Sequence, residues 1–197
     1  MTVNILSDDA FDQLFRSART ANAWLDKPVG DDLLKKIHDI AKFGPTSANC
    51  CPLRIVFVKS QSAKERLKAT LDGGNVNKVM TSPVTAILAM DMQFYDHLKF
   101  LFPHTDAKAW FVGNDALIQS TAFRNSTLQA AYFMMVARGF GLDCGPMSGF
   151  NQDKLNADFF PDGRFKVNFI CALGYADHSK TFPRSPRFGF EEVCKIL

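Results

Sequence analysis

The chain has 197 residues, 47% of them hydrophobic and 22% charged, with 19 Phe and a formal net charge of +3. A chain of this size buries roughly 70% of its unfolded surface, so disordered and fibrous classes are excluded and one domain over residues 1–197 is expected. Its charges are mixed in sign with no Lys/Arg block, no apolar run nears the roughly 20 residues of a membrane span, and MTVNILSDDAFDQ lacks a basic segment leading into an apolar one. Nucleic acid and membrane are therefore not expected as partners, and a cytoplasmic location is.

Ser7 is placed to cap a first helix whose Phe11, Leu14, Phe15 and Ala18 recur at helical spacing, ending near Arg19. A second helix begins at Asp31 or Asp32, buries Leu33, Leu34, Ile37, Ile40 and Ala41, and stops at Phe43-Gly44-Pro45. Arg54 to Lys59 reads as a short buried strand, and Ser62 with Glu65 as the capping box of a third helix through Leu71, broken by Asp72-Gly73-Gly74-Asn75. Val84 to Met90 is a second strand. Tyr95 to Trp110 is rich in aromatics without a sustained period and is expected to form a lid. Asn114 to Arg138 is a long helix, apolar on more than one face and so central, ended by Gly139 and Gly141. Leu142 to Phe150 reads as a strand entering a turn, Asp153 to Phe160 as a short helix, and Phe165 to Leu173 as a further strand before the tail. On pattern alone, this alternation predicts an α/β protein with a doubly wound parallel sheet.

The simplest chemistries are poorly served. Cys50, Cys51, Cys144, Cys171 and Cys194 lack the spacing of a disulfide framework, and reduced thiols are expected. The adjacent thiols Cys50 and Cys51 point apart in extended chain, none of the four His sits in HExxH, and no metal site is expected. Arg54 is the only nearby cation in sequence to activate a thiol, so packing is the expected role of the pair. GxSxG, GxxxxGK[ST] and GxGxxG are all missing from the sequence. What remains is five polar clusters at the ends of regular elements: Arg19 to Asn22, Thr46 to Asn49, Asn75 to Lys78, Gly145 to Gly149, and Arg184 to Arg187. Each alone is an ordinary turn, but together they suggest one ligand.

In this order the clusters resemble the signature of the flavin-dependent nitroreductase family, through RTANAW, GPTSANCCPLRIVFV, GLDCGPMSGF and GYADHSKTFPRSPRFGFEEV. SPVTAILAMD, FPHTDAKAWF and STAFRNS are similar to the family branch that includes reductases of malonic semialdehyde. The resemblance covers nearly the whole chain. It implies an α+β fold with a central mixed sheet flanked by helices, displacing the doubly wound expectation, and an intertwined homodimer with FMN at the interface.

The resemblance also assigns roles. A phosphate of nearly two negative charges suits forked guanidinium donors, so Arg19 and Arg187 are expected to hold it, with Thr20 adding a hydroxyl and Arg184 as a further candidate. Lys78, in the cluster with Asn75, is the candidate cation near N1 and O2 of the reduced flavin, and Asn22 offers a hydrogen bond without charge. Ser148 and Gly149 are expected to aim backbone amides at N5, with Pro146 and Met147 against one ring face. Ser47 and Asn49 would reach the polar edge or ribityl chain, from the opposite subunit in one arrangement. Phe102, Trp110 and Phe111 are candidate walls for the acceptor, with interface packing as their alternative. NAD(P)H would reduce FMN and leave before malonic semialdehyde, a quinone or a nitroaromatic takes the electrons in a ping-pong cycle, with no side-chain catalyst required. The rival readings are a flavin-binding sensor or storage module without turnover, and a thiol redox protein using Cys50 and Cys51.

Overall fold

A computed structural model describes residues 4–197 and places β1 (Leu53–Val58), β2 (Val84–Asp91), β3 (Asp143–Met147) and β4 (Phe165–Gly174) in one sheet ordered β1-β2-β4-β3. Every strand pair in it is antiparallel, so the doubly wound parallel sheet read from pattern alone is wrong. All eight residues of β2 are buried, which removes the period-2 signal, and strand direction depended on a pairing with β4 some eighty residues on. The mixed character expected of the sheet rests on one isolated parallel bridge, Thr20 to Cys144.

The helices are α1 (Asp8–Phe11, continued by a π-helical turn over Asp12–Arg16), α2 (Asp31–Ala41), α3 (Gln61–Lys68), α4 (Gly73–Thr81), α5 (Leu98–Leu101), α6 (Asp115–Gly139), α7 (Gln152–Phe159) and α8 (Phe190–Val193). Alternation along β2 divides the core. Ala86 and Leu88 pack with Ile37 of α2 and Phe133 of α6, while Ile87 and Ala89 pack with Leu67 of α3, Val79 of α4 and Leu155 of α7. A third cluster of Cys50, Phe94, Leu98, Phe111 and Ile118 gives the expected lid its own core, with Phe111 edge-on to Phe94 at 4.9 Å.

Two local readings change. The cap of α3 is Ser60, whose hydroxyl accepts from Ala63 N at 3.2 Å; Ser62 already lies inside the first turn. The Asp72–Asn75 break is instead the start of α4, so Asn75 and Lys78 stand on a helix. Two glycines weaken that helix locally, but burial of Val79 and outside caps offset the cost: Lys64 donates to the carbonyls of Met80 and Ser82, and Trp24 Nε1 to the Lys78 carbonyl at 2.9 Å. At the opposite end of the sheet the fully buried Asp91 joins Arg54 (2.7 Å) to Arg164 (3.0 Å) and so ties the ends of three strands.

Candidate active site

Ser7 accepts from Ala10 N and starts the N-terminal helix, and Arg16 pairs back to Asp8 at 2.8 Å. The carbonyls at the far end of this helix have no intrahelical donors and form the negative pole of its dipole. Arginines meet them. Arg184 Nη2 donates to the carbonyls of Phe15 (3.2 Å), Arg16 and Ala18 (2.9 Å), Arg19 Nη1 to Arg16 and Ala18, and Arg138 Nη1 to Leu14 at 3.2 Å. These side chains line a cavity of about 610 Å³ together with Thr20, Asn22 and Arg187, and no carboxylate lines it.

Four guanidiniums thus share one wall. Partial desolvation, followed by the like charges of Arg19, Arg187 and Arg138, lowers the Arg184 pKa from its ordinary value. An uncompensated cluster of this kind favours an anion. Arg184, a further phosphate candidate from the sequence, donates through Nη2 to three carbonyls and latches the tail to the segment carrying Arg19. Arg187 donates only to the carbonyls of Ser185 and Pro186 beside it. Arg138 was missed by the sequence reading; the available signal was a basic residue in the last turn of a long helix.

The second part of the site joins the first at Gly145. Ala21 N donates to the Cys144 carbonyl at 3.0 Å, and a Cβ at Gly145 would stand 2.7 Å from the Ala21 carbonyl and 3.3 Å from Lys78 Cδ. The Arg19–Asn22 segment, α4 and β3 therefore meet where only glycine fits. Burial lowers the pKa of Lys78, which has no carboxylate partner among the described residues. Asn75 Nδ2 donates to the Gly149 carbonyl at 2.8 Å, locking the turn after β3. Among the described residues the amides of Ser148 and Gly149 have no protein acceptor. Alternation along β3 places Met147, 9% exposed, in the core beside Ile170, and its neighbour Pro146 on the other side of the strand.

Ser47 and Asn49 lie elsewhere. Their loop leads into β1, at the end of the sheet where Leu53 pairs with Met90 and Met90 with Lys166, whereas Cys144 pairs with Leu173 on the opposite edge. Seven residues along β4 and three strand spacings across the sheet separate them, roughly 23 Å by 14 Å. One chain therefore does not bring Ser47 and Asn49 to the arginine cavity. Asn49 Nδ2 donates to the Leu101 carbonyl at 2.8 Å, which ties this loop to the lid. Of the candidate walls, Phe111 is 5% exposed and belongs to the lid core, Phe102 is partly buried against that core, and the half-exposed Trp110 stands with its ring centroid 6.2 Å from that of Phe102. Burial pushes the Cys50 thiol up to about 11, so Cys50 is protonated at neutral pH, while its neighbour Cys51 is partly exposed.

The profile of the Nitroreductase family matches residues 15–175. A protein of Polynucleobacter asymbioticus named "Putative NADH dehydrogenase/NAD(P)H nitroreductase" is 57% identical over 194 residues, covering 98% of this chain and 99% of its own. A "putative nitroreductase in complex with FMN" from Exiguobacterium sibiricum superposes with a TM-score of 0.83 at 19% identity over 100% of both chains. A Bacillus subtilis protein described as a "putative nitroreductase" gives 0.85 at 22% identity over 97% of this chain and 100% of its own. The chain belongs to the nitroreductase family.

Proposed function

We propose that this chain is an FMN-dependent NAD(P)H oxidoreductase acting as a homodimer, with malonic semialdehyde, a quinone or a nitroaromatic as its acceptor. One observation carries the reading: a cavity with four arginines and no carboxylate is built on the segment that bonds to Cys144 of β3, and β3 runs from there past Lys78 to a turn with two unspent amides. These groups fit a phosphorylated cofactor with an electron-rich polar ring. Arg19, Arg187 and Thr20 would hold the phosphate, with Arg138 and Arg184 cancelling the carbonyls that would otherwise repel it. Lys78 would stand against negative charge on the ring, and the Ser148 and Gly149 amides would donate to its nitrogen edge. When bound, FMN would supply two-electron chemistry between the nicotinamide and the acceptor. The FMN complex of the Exiguobacterium relative and the name of the Polynucleobacter relative support this reading.

The separation of the two corners of the sheet supports the dimer reading. A second copy would bring its Ser47 loop and its Phe102 and Trp110 to the arginine cavity of the first. Exposed Phe188, Phe190, Val193, Ile196 and Leu197 in the tail, and the open edge of β1 beside a groove of about 820 Å³ floored by Leu34, Ile55, Phe57 and Phe133, are complementary surfaces for that exchange. The test is anaerobic stopped-flow mixing of the purified, flavin-loaded protein with NADH or NADPH, with its mass in solution measured by light scattering. Bleaching of the flavin band, reoxidation by one of the three acceptors and a dimer mass are expected. A flavin that stays oxidised under both nucleotides would leave a binding module and end the enzyme reading.

A further inference from the structure

The loop from Ser47 to Pro52 has a backbone its sequence does not favour. Ala48, Asn49 and Cys51 have φ of 48°, 48° and 39°, a left-handed conformation disfavoured for side chains with a Cβ. Inside the loop, Asn49 N reaches the Thr46 carbonyl, Cys50 N the Ser47 carbonyl and Cys51 N the Thr46 hydroxyl, each between 3.0 and 3.2 Å. Such short-range bonds leave both ends of the loop to be held from outside.

Both ends are held by one helix face. Asn125 and Gln129 of α6, one turn apart, are 2% and 8% exposed. Asn125 Oδ1 accepts from Ser47 N at 2.8 Å, and its Nδ2 donates to the Thr121 carbonyl at 2.8 Å. Gln129 Oε1 accepts from Leu53 N at 2.9 Å. Polar side chains buried on a packed helix are costly unless bonded, and these two are bonded to the first and last anchored amides of the loop. The Ser47 hydroxyl, on an exposed residue, has no partner among the described residues.

We infer that Asn125 and Gln129 are positioning residues: they hold the strained Ser47–Pro52 ledge so that the Ser47 hydroxyl and the adjacent backbone meet the ring and ribityl chain of a flavin bound by a second copy. This rests on the proposed FMN reading and adds to it the source of the ledge's shape. Neither residue meets the phosphate, and so their effect is the same on FMN and on riboflavin, which has no phosphate. The Pro52 carbonyl still accepts from Asp91 N at 2.9 Å and Asn49 still donates to the Leu101 carbonyl when either amide contact is lost, so the ledge loosens at the altered end and its geometry there is no longer fixed.

The experiment measures dissociation constants of FMN and riboflavin for wild type, Asn125→Ala, Asn125→Asp and Gln129→Ala, well below each protein's melting temperature, with visible circular dichroism of the bound flavin. One lost hydrogen bond to a buried acceptor predicts about a tenfold rise in both constants for each Ala variant and an altered dichroic band. Asn125→Asp keeps an acceptor for Ser47 N but, when ionised, sets an oxygen against the Thr121 carbonyl in a buried site, so it recovers affinity only as falling pH protonates the carboxyl and restores a donor there. Gln129→Ala tests the same ledge from its other end should Asn125→Ala not fold. Unchanged affinities and dichroism alongside a lower melting temperature would make the pair merely structural and overturn the inference. A wild type that binds neither flavin overturns the proposed function itself, a result distinct from variants that fail to differ.

Discussion

Replacing Arg187 with Ala tests the arginine cavity at the member that holds none of the carbonyls of the N-terminal segment. Arg184 donates to three helix-end carbonyls, Arg19 to two and Arg138 to one, whereas Arg187 contacts only the two residues before it. The remaining donors of its guanidinium are therefore available to an anion. A charge-assisted hydrogen bond is worth about 1.5–3 kcal/mol, and the exposure of Arg187 places it near the lower end, about 1.5–2 kcal/mol. That predicts a rise in the FMN dissociation constant of about 10- to 30-fold. Riboflavin should bind wild type and variant alike, because the lost contact is to the phosphate. Titration of apoprotein by quenching of flavin fluorescence, at low and at high salt, reads both constants. The FMN effect should shrink as salt screens the charge, and Arg187→Lys should fall between wild type and Ala. Equal weakening of FMN and riboflavin, or none for either, would show that Arg187 does not face the phosphate.

Four further outcomes are expected. Gly145→Ala forces a Cβ to 2.7 Å from the Ala21 carbonyl, a backbone atom, and should prise Arg19 and Thr20 from β3, costing about 1–3 kcal/mol in urea unfolding and lowering the flavin content on purification. Asp91→Ala leaves Arg54 and Arg164 facing each other without the buried carboxylate, and should cost about 3–5 kcal/mol, a fall in melting temperature of roughly 6–20 °C by scanning calorimetry. Lys78 titrates below its ordinary 10.5 in the folded chain, so between those two values the unfolded state binds more protons and stability rises with pH. Lys78→Met should abolish that rise in alkaline denaturation series while weakening FMN; a rise that persists in the variant would assign it to another group. Changing Cys50 and Cys51 together to Ala should leave NAD(P)H-dependent flavin reduction within about threefold of wild type, since the Cys50 thiol, held near 11, supplies little thiolate and hydride transfer through a flavin needs none; loss of turnover with flavin retained would support the thiol mechanism.

Local signals survived folding well. Ser7, Asn114 and the breaks at Gly44 and Gly139 bounded helices because caps and stops act within one turn of chain, and β1, β2 and β4 appeared within a few residues of their expected limits, although β1, an edge strand, is fully buried only at Val58. The α4 helix was missed because its support is distant: Trp24 and Lys64 cap it, and Val79 is buried by strands outside its own window. Resemblance selected Arg19, Thr20 and Asn22, which the structure gathers with Arg187 round one cavity. It also grouped Ser47 and Asn49 with them, and the sheet sets those two at the opposite corner.

By itself, the sequence determined which residues could cap, turn, bury or carry charge, and the order in which the polar clusters occur. Strand direction, the carbonyl contacts of Arg184, the recruitment of Arg138, the burial of Met147 and Phe111, and the placing of the candidate residues at two corners of the sheet were decided only by tertiary structure. The physical reason is range. Capping and periodicity are settled by neighbours a few residues apart, whereas a guanidinium's choice between a carbonyl and an anion, or a side chain's choice of face, depends on atoms that only the folded sheet brings within hydrogen-bond or packing distance.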